Sequence, residues 1–212
     1  MTPQKTFPMQ GSFLSLIVSV SVALCFIMPM THATAQTPGV SGDGAIITLP
    51  APDKEGGIPL MQALAKRQSG QSFKDEALPR QELSNLLWAA FGINRADGHR
   101  TAPTARNRQN VLIYAAMEGG IWRYEAEKQQ LVKVRDTDMR ATYKAPLTLL
   151  YAGEGDFAAM HVGALYQNVG LYCASAGLAN RVKTTGVDEA RKEVPVPNGY
   201  QVMIIQNVGY PG

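Results

Sequence analysis

Asn110-Val111-Leu112-Ile113-Tyr114-Ala115-Ala116-Met117-Glu118-Gly119-Gly120-Ile121-Trp122-Arg123-Tyr124 is the stretch on which the fold turns. Its first half has the β-branched and aromatic content of a strand, Gly119-Gly120 supplies a turn, and residues 121–124 continue in the pattern of a half-buried strand. The two halves read as a hairpin, which places antiparallel pairing at the centre of the sequence. Downstream, residues 131–134 add a short edge strand and residues 147–152 a core strand. Residues 157–176 form the longest helical stretch, stopped by Gly177, and residues 200–205 form a final strand before Gly209-Tyr210-Pro211. Upstream, Ile58, Met61, Leu64 and Ala65 stand at helical spacing in residues 58–67, with Pro59 tolerated in the first turn. A second helix begins at Pro79, aligns Leu83, Leu86, Leu87, Ala90 and Phe91 on one face, widened by Trp88, and stops at Gly92.

The order is helix, helix, hairpin, strand, long helix, short helix, strand. That order fits an α+β domain, with a central mixed or antiparallel sheet flanked by helices, better than a strictly alternating parallel fold. The long helix is apolar almost all round, with Met160, Val162, Ala164, Leu165, Val169, Leu171, Tyr172, Cys173 and Ala174. Such a helix needs cover on more than one side, from the domain core or from a partner subunit.

Residues 1–35 carry Lys5, no acidic residue, and an apolar run across residues 13–30. Ala33 and Ala35 are the small residues that a signal peptidase requires, so the expectation is a secretory signal cleaved after Ala35 and a protein exported to the periplasm or beyond the cell. The competing reading is an uncleaved membrane anchor, because the run approaches the ~20 residues that span a bilayer. Cys25 does not favour lipid attachment, since Leu24 precedes it where a small residue is wanted. No twin-arginine pair precedes Ala35, so export delivers an unfolded chain that acquires any cofactor outside the cytoplasm. Residues 36–57 read as a Pro/Gly-rich coil, and residues 58–212 as one domain with no membrane span.

The formal net charge of the whole chain is +3, with basic and acidic residues interspersed, which does not suggest a nucleic-acid partner. After cleavage only Cys173 remains, so the domain has no internal disulfide. His99 and His161 stand in no metal-ligand spacing, and a lone Cys completes no zinc site. Cys173, inside an apolar helix, reads as core rather than as a nucleophile. No nucleophile elbow or Walker loop occurs.

Two polar segments stand out: Arg67-Gln68-Ser69-Gly70-Gln71-Ser72-Phe73, and Arg100-Thr101-Ala102-Pro103-Thr104-Ala105-Arg106-Asn107-Arg108-Gln109. Guanidinium, hydroxyl and amide groups clustered in this way can bind a phosphate and the edge of a heteroaromatic ring. Composition alone favours a plainer reading, a pair of solvated surface loops.

The first segment resembles the Arg-x-Ser-x-(Arg/Lys)-x-Phe signature of nitroreductases, and the second resembles their Pro-Ser-(Ser/Ala)-x-Asn-x-Gln segment. The likeness continues through Leu83-Ser84-Asn85-Leu86-Leu87-Trp88-Ala89-Ala90-Phe91-Gly92, Gln167-Asn168, Gly177-Leu178 and Val208-Gly209-Tyr210-Pro211. It is closest to the branch that includes the oxidases of azole-forming peptide pathways. The resemblance implies a nitroreductase-like fold, a homodimer, and FMN bound at the subunit interface. It assigns Arg67 to the FMN phosphate and Ser69 to phosphate or ribityl contact, with Gln68 and Gln71 in the same loop. Thr104, Ala105 and Asn107 would approach the ring or ribityl chain, and Thr185 and Gly186 would offer backbone groups near flavin N5.

Departures from the pattern bear on affinity. Gln71 stands where the family has Arg or Lys, and many members continue past the position of Gly212 into a basic tail. Positive charge expected at the phosphate is therefore missing unless Arg106, Arg108 or Lys183 compensates. The implied reaction is a two-electron reduction of a nitro, quinone or enone-like small molecule, or oxidation of a substrate by flavin, with no side chain acting as an essential catalyst. NAD(P)H is the family's usual donor, yet it is absent outside the cytoplasm, which leaves the electron donor open. The alternative is an exported module of the same fold that binds flavin or another small ligand without catalysis.

Overall fold

The computed structural model describes residues 44–212. The proposed signal segment and the first part of the proposed coil lie outside the described residues. Seven strands form one sheet in the order β1-β4-β3-β2-β5-β7-β6. They are β1 (Ile46–Thr48), β2 (Val111–Met117), β3 (Gly120–Glu125), β4 (Gln130–Arg135), β5 (Leu147–Gly153), β6 (Ala179–Lys183) and β7 (Gln201–Gly209). Every pairing is antiparallel.

The hairpin forms as expected, with Tyr114 opposite Arg123 and Met117 opposite Gly120. Gly120 has φ +127°, and a Cβ there would run into the Arg135 carbonyl, so the turn demands glycine. β5 is buried along its whole length. Its Leu149 and Tyr151 point to one core cluster and its Leu150 and Ala152 to the other, the signature of a strand covered on both faces.

Helices α1 (Leu60–Lys66), α2 (Arg80–Phe91) and α4 (Ala158–Ala176) cover one face. There Leu83, Leu86, Leu87, Val162, Leu165 and Val169 pack against Ile113, Ala115 and Leu149. Full burial of each Leu stabilises the fold by roughly 1.5–3 kcal/mol before conformational entropy is counted. The short α3 (Arg140–Tyr143) and α5 (Val187–Glu193) cover the other face, where Tyr143, Val187 and Ala190 meet Tyr114, Leu150 and Ile205. Gly92 ends α2 because a Cβ would overlap the Trp88 ring, whose Nε1 donates to the Ile93 carbonyl at 3.0 Å. Gly177 ends α4 at φ +72°.

Four expectations change. Residues 46–48, inside the segment read as coil, form β1, because Ile46-Ile47-Thr48 pairs with β4, and β4 is consequently not an edge. The final strand runs on to Gly209 and lies between β5 and β6 rather than ending at residue 205. β6 was not anticipated at all, since Ala179-Asn180-Arg181-Val182-Lys183 has little strand character of its own and is recruited by β7. The first helix is shorter than residues 58–67 and leaves Leu60, Met61 and Leu64 exposed at 63%, 75% and 45%. Among the described residues no helix is long and apolar enough to cross a membrane.

Candidate functional site

The first loop leaves α1 at Arg67, whose backbone N–H still donates to the Ala63 carbonyl at 2.9 Å. α4 presents Gly170 to the Arg67 stem, so the helix backbone itself supports that side chain. Three residues on, the Gly70 N–H donates to the Asn180 carbonyl at 2.7 Å, and a Cβ on Gly70 would come within 2.8 Å of Ala179. Asn180 is fixed in turn by a buried relay. Gln206 Nε2 donates to Asn180 Oδ1 at 3.0 Å and to the Tyr166 carbonyl at 3.2 Å, while the Tyr151 hydroxyl donates to Gln206 Oε1 at 2.6 Å. Burial pushes the Tyr151 hydroxyl far above its ordinary range, so it stays a donor. The loop backbone is therefore pinned to the sheet. The side chains of Arg67, Gln68, Ser69 and Gln71 nonetheless form no hydrogen bond or ion pair among the described residues.

Two clefts adjoin this loop. One, ≈ 440 Å³, is lined by Gln68, Ser69, Gly70 and Gln71 facing Ala179, Asn180 and Pro211. The other, ≈ 590 Å³, opens where the loop ends, between Phe73, Lys74 and Asp75 and the segment carrying Asp138, Arg140, Ala141, Lys144, Ala145 and Pro146. Both volumes fall in the range of small-molecule sites, ~300–1,000 Å³. Arg140 grips Asp138 with its Nε and Nη2 at 2.8–3.1 Å, and this pairing holds the Asp138 carboxyl below its usual range. Apart from Phe73, which ends the first polar segment, this second lining carries no motif in the sequence. The charges of Asp138 and Arg140 were visible, but only the turn into α3 brings them opposite Phe73.

Thr185 and Gly186 sit in the turn between β6 and α5. Gly186 has φ +94°, its carbonyl accepts from the Tyr143 hydroxyl at 3.2 Å, and a Cβ would lie 3.0 Å from the Tyr143 ring. This third loop thus packs against Tyr143 of α3, the helix whose Arg140 and Ala141 line the larger cleft.

The second loop is built differently. Thr104 precedes a single 3-10 turn, Ala105–Asn107, and Arg106, Asn107 and Gln109 all take left-handed backbone angles, φ +54°, +52° and +50°. Left-handed geometry costs roughly 1–2 kcal/mol for each such residue, and it persists only when the surroundings enforce it. The surroundings do so here. Gln109 N–H donates to Thr104 Oγ1 at 3.0 Å, and Gln109 Nε2 donates to the Gly98 carbonyl and to Asn107 Oδ1, both at 3.0 Å. Arg100 donates to Gln109 Oε1 at 2.8 Å and to the Phe91 carbonyl at 3.2 Å, pairs with Glu127, and stacks on the Phe91 ring. Its guanidinium, a candidate ligand group from sequence, is committed to holding the loop. Asn107 keeps an exposed amide NH₂ with no partner among the described residues.

From α4, His161 reaches this loop. The Ala105 N–H donates to His161 Nε2 at 2.8 Å, and Nδ1 lies 2.8 Å from Asn110 Oδ1. An acceptor Nε2 fixes the neutral tautomer with its proton on Nδ1. Burial, reinforced by the Arg108 charge, lowers the His161 pKa below its ordinary value. Cys173 is fully buried, and burial pushes its thiol well above the range in which it could act as a nucleophile.

Within one chain these loops do not converge. The second loop enters β2 beside Gly153, at the end of β5, whereas the larger cleft opens at Ala145 and Pro146, where β5 begins. The separation is roughly 20 Å, the length of the strand. Along α4, His161 and Gly170 mark the same division.

A family model described as the nitroreductase family matches residues 64–210. A Methanocaldococcus jannaschii protein named as a nitroreductase is 27% identical over 193 residues, covering 77% of this chain and 96% of its own. A crystal structure from Ralstonia eutropha, also described as a nitroreductase, is 31% identical with a TM-score of 0.75, covering 84% of this chain and 95% of that one. A chain of an Escherichia coli microcin synthetase complex shares the fold alone, at 17% identity and a TM-score of 0.59 over 88% of this chain and 83% of its own.

Proposed function

The chain belongs to the nitroreductase family, a family of oxidoreductases, and from that premise we propose that it binds FMN between two copies of itself and transfers electron pairs through it. The observation that carries this reading is the set of unpartnered side chains on a pinned loop. Lys66, Gln68, Ser69 and Gln71 supply charged and neutral donors to the smaller cleft, with the Arg67 stem beside it against Gly170 of α4, a set that suits a phosphate, and the adjoining cleft offers Phe73, Ala141, Ala145 and Pro146 to a planar ring. Gln71 contributes no charge, so the attraction to phosphate falls to Arg67 and to Lys66, which lines the smaller cleft.

The second loop points to a partner. Its exposed Asn107 and its Thr104 hydroxyl stand about one strand length from the phosphate loop of their own chain, and a second copy brings an equivalent loop within reach of one ligand. Exposed Leu60, Met61 and Leu64 on α1, and Met160 on α4 at 71% exposure, supply the apolar surface that such an isologous dimer would cover.

Bound there, flavin would supply two-electron chemistry, reducing a nitro, quinone or enone-like acceptor or oxidising a substrate. The protein's part is to bind, orient and exclude water. Residues 1–35 support export, and in the periplasm or outside the cell NAD(P)H is not the expected donor. The test is an FMN titration of residues 36–212 followed by light scattering and stopped-flow spectroscopy of the flavin band. A yellow dimer, reduced by dithionite and reoxidised by a quinone or nitroaromatic, is expected. A monomer that leaves FMN free removes the reading, and a bound, reduced flavin that no acceptor reoxidises favours the non-catalytic module, to which neutral Gln71 would belong.

A further inference from the structure

Ala105 lies in a loop whose three left-handed residues require outside restraint, and most of that restraint comes from neighbours close in sequence, Arg100 and Gln109. His161 adds a contact from a distant element directly to the turn. His161 is 5% exposed and stands in the first turn of α4, 56 positions from Ala105. It links two points of the loop: Nε2 accepts the Ala105 N–H at 2.8 Å, and Nδ1 meets Asn110 Oδ1 at 2.8 Å. Asn110 is itself clamped, since its carbonyl accepts the Glu154 N–H at 3.2 Å and its side-chain amide donates to the Glu154 carbonyl. The chain α4–His161–Ala105 therefore ties the Thr104–Asn107 turn to the helix layer.

Resting on the reading of this loop as part of the flavin site, we propose that His161 is a positioning residue: its neutral imidazole holds the Ala105 backbone so that the Thr104–Asn107 turn is presented to the ligand, and protonation releases it. A protonated imidazole has no lone pair at Nε2, so the Ala105 N–H loses its acceptor and two N–H groups face each other. The groups around the ring favour the neutral form. From the loop, Arg108 opposes a second positive charge, and just before α4 the Phe157 ring, 6.5 Å away, offers only an apolar surface. From the β5–α4 turn, Glu154 contributes backbone groups, while its carboxylate lies against Gly199. The positive end of the α4 dipole acts in the same direction.

The sign follows from the lowered pKa. The neutral form binds the loop, so the restraint is complete above the ordinary histidine range and is lost as pH falls through the folded-state pKa of His161. Two readouts test this on residues 36–212, one independent of flavin. Amide exchange at Ala105, corrected for its intrinsic rate, should be slow near pH 7.5, speed up as pH falls through the lowered folded-state pKa of His161, and be fast at every pH in His161→Phe. FMN affinity should fall about tenfold over the same interval and to the same extent in His161→Phe at neutral pH. His161→Gln, whose Oε1 can accept the Ala105 N–H but cannot titrate, should restore the neutral-pH affinity and flatten the profile. If Ala105 exchange ignores both pH and His161→Phe, or if His161→Gln keeps the wild-type pH profile, the inference is wrong. If FMN binds at no pH while Ala105 exchange behaves as described, the restraint stands and the flavin reading of the loop fails.

Discussion

The two polar loops are opposites in construction. Residues 67–73 have an ordinary backbone anchored through Gly70 and Asn180; Ser72 Oγ donates to the Gly212 carbonyl at 3.2 Å, while the side chains of Arg67, Gln68, Ser69 and Gln71 have no polar partner among the described residues. Residues 103–109 have a backbone forced into left-handed geometry at Arg106, Asn107 and Gln109, and most of their polar side chains are spent on enforcing it. The first loop resembles a set of ligand donors on a fixed mount. The second resembles a spring held shut, offering mainly its turn and the Asn107 amide. Loss of a side chain should therefore register as lost affinity in one and lost stability in the other.

Arg67→Ala gives the largest expected effect. FMN binding should weaken by about 2 kcal/mol or more, roughly thirtyfold, while riboflavin binding and thermal stability change little. Equal weakening of both flavins would mean that Arg67 acts on the ring or on folding, and the contrast between the loops would collapse. Gln109→Ala comes next and should behave in the reverse way. It removes contacts to Arg100, Gly98 and Asn107, so unfolding free energy should fall by about 1–2 kcal/mol, a drop of some degrees in Tm. An unchanged Tm would show that the left-handed residues need no such clamp. Gln71→Arg is the smallest, restoring the charge the family signature carries. FMN affinity should rise by about 0.5–1 kcal/mol, with the gain shrinking as salt is added. A gain for riboflavin as well would place residue 71 away from the phosphate.

What could be read from sequence was what is local. The β2–β3 hairpin, α2 with its Gly92 stop and α4 with Gly177 are specified by periodicity and turn chemistry within a few residues. β1 and β6 were missed because each is made a strand by a partner far away in sequence, β4 for one and β7 for the other. The same division applies to the site. Arg67, Ser69, Thr104 and Asn107 carry a motif, whereas His161 is a single histidine in an apolar helix and acquires a role only when the fold lays it on Ala105. The cleft at Asp138 and Arg140 likewise depends on α3 turning them toward Phe73.

The central claim is that a complete flavin site needs the first loop of one copy and the second loop of another. Subunit mixing tests it most directly. Arg67→Ala and Asn107→Ala proteins, each weakened in FMN binding as a homodimer, are unfolded together, refolded and titrated with FMN. In a mixed dimer one site inherits both substitutions and the other inherits neither, so tight FMN binding should reappear in the mixture at the level set by the fraction of mixed dimers. A mixture that binds FMN no better than its two components, with mixed dimers demonstrably present, would place both loops of each site on the same chain and contradict the account.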